Sequence, residues 1–100
     1  MANKSVTVLA RIKAKGGMEE RVKQELLALV APTRAEAGCI NYDLHQSADD
    51  PTLFMFYENW KSKEDLDQHM EMPYLKALAE KGGELFAAPV ELTLWEKISS

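Results

Sequence analysis

His69 is the residue of this sequence best suited to acid–base chemistry. It follows Leu66 by three residues and precedes Met70, so in a helix its imidazole would lie at the edge of an apolar stripe. An imidazole exchanges protons near neutral pH, which suits a base that removes a phenolic proton. The alternative is a structural hydrogen bond on a partly exposed helix, and the residues by themselves favour that interpretation.

A run of alternate positions could form a binding surface for a flat aromatic ligand. Phe54, Phe56, Glu58 and Trp60 would share one face of a strand. Aromatic rings stack on such a ligand, and Glu58 could accept a hydrogen bond from a hydroxyl or orient His69. The alternative is that the tryptophan belongs to the core and that Glu58 pairs with a lysine.

Tyr42 and Arg11 are further candidates for substrate binding. Tyr42 could donate its hydroxyl to a substrate oxygen, although a strand tyrosine more often packs its ring and leaves its tip in water. Arg11 would either hold an anionic oxygen or bridge two subunits, and the sequence leaves both open.

Cys39 is interpreted as a buried, unreactive thiol. Three methionines are interpreted as core filler: Met55, Met70 and Met72.

The composition predicts a globular chain that does not bind nucleic acid or membranes. Its 100 residues are 46% hydrophobic with a formal net charge of −4, which fits one domain over residues 1–100 and offers no basic field for phosphate backbones or lipid. No metal-ligand or phosphate-loop spacing is present in the sequence. Residues 1–4 precede a strand pattern without a signal peptide, which predicts a cytoplasmic protein.

Hydrophobic periodicity predicts six elements in the order strand, helix, strand, strand, helix, strand. Pro32 predicts a kink or a restart in the first helix, and Gly38 is expected to end that helix in a left-handed conformation. Pro73 is expected to interrupt or re-initiate the second helix, and Gly82 with Gly83 to stop it. The order predicts an α+β fold of the ferredoxin-like split βαβ type (βαββαβ), with a four-stranded antiparallel sheet. The segments are 5–14, 18–37, 39–46, 53–60, 62–83 and 90–98.

The strand that begins at Leu53 is apolar on both of its faces up to Tyr57. Two helices can cover only one face of the sheet. Covering two or three large side chains of the other face contributes several kcal/mol at ~25 cal/mol per Å². The pattern therefore predicts a homodimer in which a second copy covers this face. The alternative is that the C-terminal segment covers it.

With this layout, several motifs resemble the antibiotic biosynthesis monooxygenase family. The segment from Glu36 to Leu44 contains the pattern Glu-x-Gly-Cys-x-x-Tyr, and the remaining motifs follow at the family's spacing: Asp50-Pro51, Glu58-Asn59-Trp60, Leu66 to His69 and Pro73-Tyr74. The resemblance implies a dimeric α+β barrel with a pocket between sheet and helices. It also implies oxidation of a quinol or anthrone by O₂ without flavin, haem or metal, and it favours a catalytic His69.

The sequence differs from two branches of that family. Anthrone-oxidising members have Asn and Tyr at the positions of Phe56 and Leu66, which argues against a polyketide anthrone. Haem-degrading members would have Asn and His near Ala10 and Ala79, and alanine cannot ligate iron.

The leading hypothesis is a cofactor-independent monooxygenase that oxidises a small quinol or polyphenol with O₂. His69 would act as the base, Glu58 or Tyr42 would position hydroxyls, and the aromatic rings would shape a dry pocket. Two alternatives remain: a proton-transfer isomerase of a small sugar-like signal molecule, and a non-catalytic dimeric ligand-binding or stress-response module.

Overall fold

The computed structural model describes residues 5–99 as a four-stranded antiparallel sheet with helices packed against one face. Numbered along the chain, the strands lie in the order second, third, first and fourth across the sheet, which confirms the predicted α+β ferredoxin-like fold. Residues 1–4, for which no signal peptide was expected, lie outside the described residues. Among residues 5–99, no helix has the length and apolar character needed to cross a bilayer. The elements are β1 Val6–Lys13, α1 Glu19–Leu27, α2 Val30–Arg34, β2 Cys39–Gln46, β3 Leu53–Trp60, α3 Lys63–Met70, α4 Pro73–Leu85 and β4 Glu91–Trp95.

Both predicted helices consist of two segments. The first breaks before Pro32, which lies in the first turn of α2, where its missing amide hydrogen removes no helical bond. The predicted restart is therefore confirmed. In the second helix Pro73 is the first residue of α4, which confirms re-initiation.

The predicted end of the second helix at Gly82 and Gly83 was wrong, because α4 continues to Leu85. A glycine costs a helix roughly 1 kcal/mol relative to alanine. The last turn of α4 compensates by burying Leu85 completely in the core. Packing here outweighs local propensity.

Gly38 does not end a helix in the left-handed region, since Gly17 is the glycine with a positive φ among the described residues. A Cβ at Gly38 would instead lie 2.2 Å from Cγ of Asp65, so only glycine fits against the start of α3. The predicted cap of that helix is confirmed, because Ser62 Oγ accepts a hydrogen bond from the Asp65 amide at 3.2 Å, while the Asp65 carboxylate accepts from the Ser62 hydroxyl. Gly38 therefore lets α3 pack closely beside the start of β2.

The central strands place alternate residues against the helices. In the β1–β3 register, Val8 pairs with Glu58 and Ala10 with Phe56, and all four side chains are buried. The opposite face has no helices in the described part of the chain, and it leaves Tyr57 41% exposed.

The edge strand β4 is shorter than predicted and is exposed along its whole length. It pairs with β1 alone, and its Trp95 is 56% exposed. Residues 96–99 are exposed too.

Candidate active site

A cavity of about 250 Å³ lies between the sheet and the helical layer. Its lining is mostly aliphatic and aromatic, and four residues bring polar groups to it: Tyr42, Glu58, His69 and Lys76. Lys76 is an exposed residue and pairs with Glu71 at 2.9 Å. An apolar cavity with a few convergent polar groups is the usual form of a small-molecule site, and this one is slightly below the range of roughly 300–1,000 Å³ for such sites. It therefore suits a small ligand.

His69 lies in the last turn of α3 and is only 2% exposed. Its Nδ1 is 2.9 Å from Oε2 of Glu36, and its ring packs 4.5 Å from the Trp60 ring and edge-on to Tyr42. A carboxylate can only accept at this contact, so the neutral imidazole places its proton on Nδ1. Nε2 makes no hydrogen bond within residues 5–99 and remains available to a ligand.

Glu36 and Tyr74 are the parts of this cluster that the sequence analysis did not assign. Glu36 lies in the loop between α2 and β2, and it accepts hydrogen bonds from His69 and from the Tyr74 hydroxyl. Burial and the Glu36 contact raise the pKa of Tyr74 to about 12, so this hydroxyl stays protonated. Glu36 opens the Glu-x-Gly-Cys pattern, which was a signal, but its partners lie 33 and 38 residues away in the chain.

Glu58 is a buried carboxyl whose proton is held near neutral pH. Burial raises its pKa from the ordinary 4.5 to about 7, the hydrogen bond from Trp60 Nε1 opposes this, and the charge of Glu36 adds to it. Glu58 bonds to Trp60 at 2.9 Å rather than to a lysine, and Glu36 is the carboxylate that contacts His69. In its neutral form Glu58 can donate a hydrogen bond to a ligand oxygen.

Tyr42 and Phe56 form the aromatic part of the cavity wall. Their rings stack with centroids 4.4 Å apart, and both side chains are buried. Burial, with the charge of Glu58 as a smaller cause, raises the pKa of Tyr42, so its hydroxyl remains a donor. The structure thus brings Tyr42, Phe56, Glu58 and His69 to one cavity.

Three predicted site residues lie outside the cavity lining. Trp60 and Phe54 are buried on the helix-facing side of β3, where Trp60 supports the site by contacting Glu58 and His69. Arg11 is exposed on the opposite face of the sheet. Alternation along the strand correctly predicted that Phe54 and Trp60 share a face with Phe56 and Glu58. It could not predict that only Phe56 and Glu58 of these four line the cavity.

Four other residues that were discussed from the sequence lie in or near this part of the fold: Met70, Cys39, Ala10 and Ala79. Met70 is 41% exposed and lines the cavity, so its interpretation as core filler was wrong. Cys39 is half-buried, and burial raises the pKa of its thiol. Ala10 and Ala79 both line the cavity and present only methyl groups. Residues 5–99 contain no cluster of three or more potential metal-ligating side chains.

Several known proteins are similar to this chain. Rv0793 of Mycobacterium tuberculosis, named "Putative monooxygenase Rv0793", is 37% identical over 89 residues, which are 89% of this chain and 87% of the relative. The sll1783 protein of Synechocystis is 30% identical over 95% of this chain, and the chain spans 65% of that protein. The crystal structure of PA3566 from Pseudomonas aeruginosa superimposes with a TM-score of 0.93 at 33% identity and covers 99% of both chains.

The family model of antibiotic biosynthesis monooxygenases matches residues 5–81. The match runs from β1 into α4 and includes Tyr42, Glu58, His69 and the contact between Glu36 and Tyr74. The chain therefore belongs to the antibiotic biosynthesis monooxygenase family.

Proposed function

We propose that this protein is a cofactor-independent monooxygenase that oxidises a small quinol or related polyphenol with O₂. The observation that carries the proposal is His69, which is buried at an apolar cavity with Nδ1 held by a carboxylate and Nε2 unpaired. A base in this state suits removal of a ring-hydroxyl proton. The name of the relative Rv0793 supports the general activity.

The proposed reaction begins when Nε2 of His69 removes the proton of one ring hydroxyl. The phenolate then transfers an electron to O₂, and the resulting superoxide joins a ring carbon as a peroxide. His69 returns its proton to the peroxide, loss of the proton on the same ring carbon then cleaves the O–O bond, and one oxygen atom stays on the ring as a carbonyl while the other leaves with both protons as water. The balance is quinol plus O₂ to hydroxyquinone plus H₂O, and the substrate supplies all electrons.

Glu58 and Tyr42 bind the second oxygen of the substrate in this proposal. Both can donate a hydrogen bond from within an apolar wall, and the Tyr42–Phe56 stack offers an aromatic surface to a flat ring. A dry cavity strengthens these contacts and keeps water away from the reactive anion.

Oxygen uptake with menadiol, corrected for autoxidation, tests the activity. The wild type should exceed the autoxidation rate, His69→Ala should lose that excess, and His45→Ala, which changes an exposed histidine on β2, should retain it. One atom from ¹⁸O₂ should appear in the product. A wild-type rate equal to autoxidation, or an unchanged rate in His69→Ala, refutes the proposal. Anaerobic turnover of a carbonyl compound would favour the isomerase alternative, and quinone binding without turnover the binding module.

We also propose that two copies associate through the sheet face that lacks helices. On this face the partly buried Leu9 lies beside the exposed Tyr57 in the β1–β3 register, and Trp95 lies on the same side of the edge strand. A second copy with the same surface would remove these side chains from water in a two-fold arrangement.

Sedimentation velocity at micromolar concentration tests the homodimer. The wild type should sediment as a dimer, and Tyr57→Glu should produce monomers because a charge cannot be buried there without a partner. Leu27→Glu is the matched control, since Leu27 is 46% exposed on α1 and should leave the dimer intact. A monomeric wild type would contradict the proposal.

A further inference from the structure

We propose that Glu36 and Tyr74 are positioning residues that hold His69 in the one tautomer able to act as a base. This inference rests on the proposed function for its kinetic consequence, but the tautomer itself is measurable without any substrate. Neither residue contributes to the cavity lining, so both would act through His69 rather than on the substrate.

The first step of the argument is the contact between Glu36 and the imidazole. Oε2 of Glu36 is 2.9 Å from Nδ1 of His69, and the two side chains are 9% and 2% exposed. Little water competes for such a contact, and a carboxylate there requires a proton on Nδ1. Free histidine prefers its proton on Nε2, so without Glu36 the cavity-lining imidazole would mostly be unable to accept a proton there.

The second step is the hydroxyl of Tyr74, which donates to the same Oε2. Tyr74 is the second residue of α4, whereas His69 lies in the last turn of α3 and Glu36 follows α2, so three helical segments meet at one carboxylate. This second hydrogen bond fixes the position of Oε2, so that the oxygen stays directed at Nδ1 of His69. Tyr74 therefore secures Glu36 as an acceptor.

The third step concerns the orientation of the imidazole ring. The Trp60 ring lies 4.5 Å away with a tilt of 35°, and Tyr42 meets the imidazole edge-on at 5.5 Å. These contacts restrict rotation of the ring, while Glu36 determines which nitrogen carries the proton. Loss of Glu36 should thus change the proton position with little movement of the ring.

Nitrogen-15 NMR of the full-length protein labelled at histidine tests the tautomer. The chain has two histidines, so His45→Gln assigns the signals. Wild-type His69 should carry its proton on Nδ1 in its neutral form. Glu36→Gln should lose that preference, because the amide can present its NH₂ group to Nδ1. Tyr74→Phe should weaken the preference without abolishing it, because Glu36 still contacts Nδ1 but loses the hydroxyl that holds its carboxylate in place.

Kinetics with the quinol that gives turnover test the consequence. Glu36→Gln should lower kcat by about 100-fold or more with KM changed by less than about threefold, since general-base catalysis contributes roughly 10²–10⁴-fold. Tyr74→Phe should lower kcat by about two- to tenfold, the range of one hydrogen bond. Glu25→Gln is the control, because Glu25 pairs with Lys81 at 3.1 Å, away from His69, and its change should leave kcat and the tautomer unchanged.

The outcomes separate this inference from the proposed function. A wild-type His69 with its proton on Nε2, or a folded Glu36→Gln variant with unchanged tautomer and kcat, overturns the inference. The expected tautomer and its loss in Glu36→Gln support the positioning roles even if no quinol is oxidised, and in that case only the proposed reaction fails.

Discussion

Glu58→Gln should stabilise the protein in neutral and alkaline solution but not in acid. Below pH 4.5 the carboxyl is protonated in both the folded and the unfolded chain. Between 4.5 and about 7 the unfolded chain loses this proton while the folded chain keeps it, so the free energy of unfolding falls as the pH rises. Above that window the loss is complete at roughly 3 kcal/mol, since one pKa unit corresponds to ~1.4 kcal/mol. Glutamine does not ionise and avoids this loss.

Urea denaturation followed by tryptophan fluorescence measures the difference. The free energy of unfolding of Glu58→Gln relative to wild type should rise by about 3 kcal/mol between acid and about pH 8 at one fixed protein concentration. The glutamine Oε1 can still accept from Trp60 Nε1, so the packing is preserved. Glu80→Gln, an exposed change on α4, is the matched control and should show no such rise. A difference that stays flat with pH, or falls, would refute the buried neutral carboxyl.

Three further substitutions test individual contacts that stabilise the fold. Gly38→Ala should destabilise the protein by roughly 1–3 kcal/mol in urea, because the new Cβ would lie 2.2 Å from Asp65 Cγ; an unchanged midpoint would contradict this close approach. Ser62→Ala should cost about 1 kcal/mol by removing the cap of α3, and equal stability would mean that water replaces the hydroxyl. The hydrogen bond from Lys13 lowers the pKa of Asp50 from 3.8 to about 2. The Asp50 carboxylate therefore stabilises the folded protein above pH 3.8, and this contribution is lost as the pH falls through about 2. Thermal melting in acid should therefore show a smaller pH dependence in Asp50→Asn, and identical curves would count against this contact.

The sheet could be predicted from the sequence because its signals are local. Alternation along β1 and β3 determines which residues face the helices, and the predicted bounds of β2 and β3 agree with the structure. The end of α4 could not be predicted in this way. Gly82 is a local signal, whereas the burial of Leu85 depends on where the sheet lies.

The site was predictable only in part for a related reason. Period two places Phe54 and Trp60 on the same face as Phe56 and Glu58, and all four are buried there. Which of them reaches the cavity depends on how α3 and α4 pack over the strand, and the sequence contains no local sign of that packing. The contact between Glu36 and His69 likewise depends on the loop that follows α2.

Glu36, which contacts His69, and Glu58, which lines the same cavity as His69, have different surroundings. Glu36 accepts hydrogen bonds from two side chains and serves as the acceptor behind the imidazole. Glu58 accepts a hydrogen bond from Trp60, and burial is the main reason that its proton is retained to about pH 7. Glu36 therefore accepts the proton of His69 Nδ1 in a hydrogen bond, while Glu58, in its neutral form, is a possible donor in the cavity that His69 lines. In the proposed reaction a quinol bound between them would lose one proton to His69, while its other oxygen accepts a hydrogen bond from Glu58.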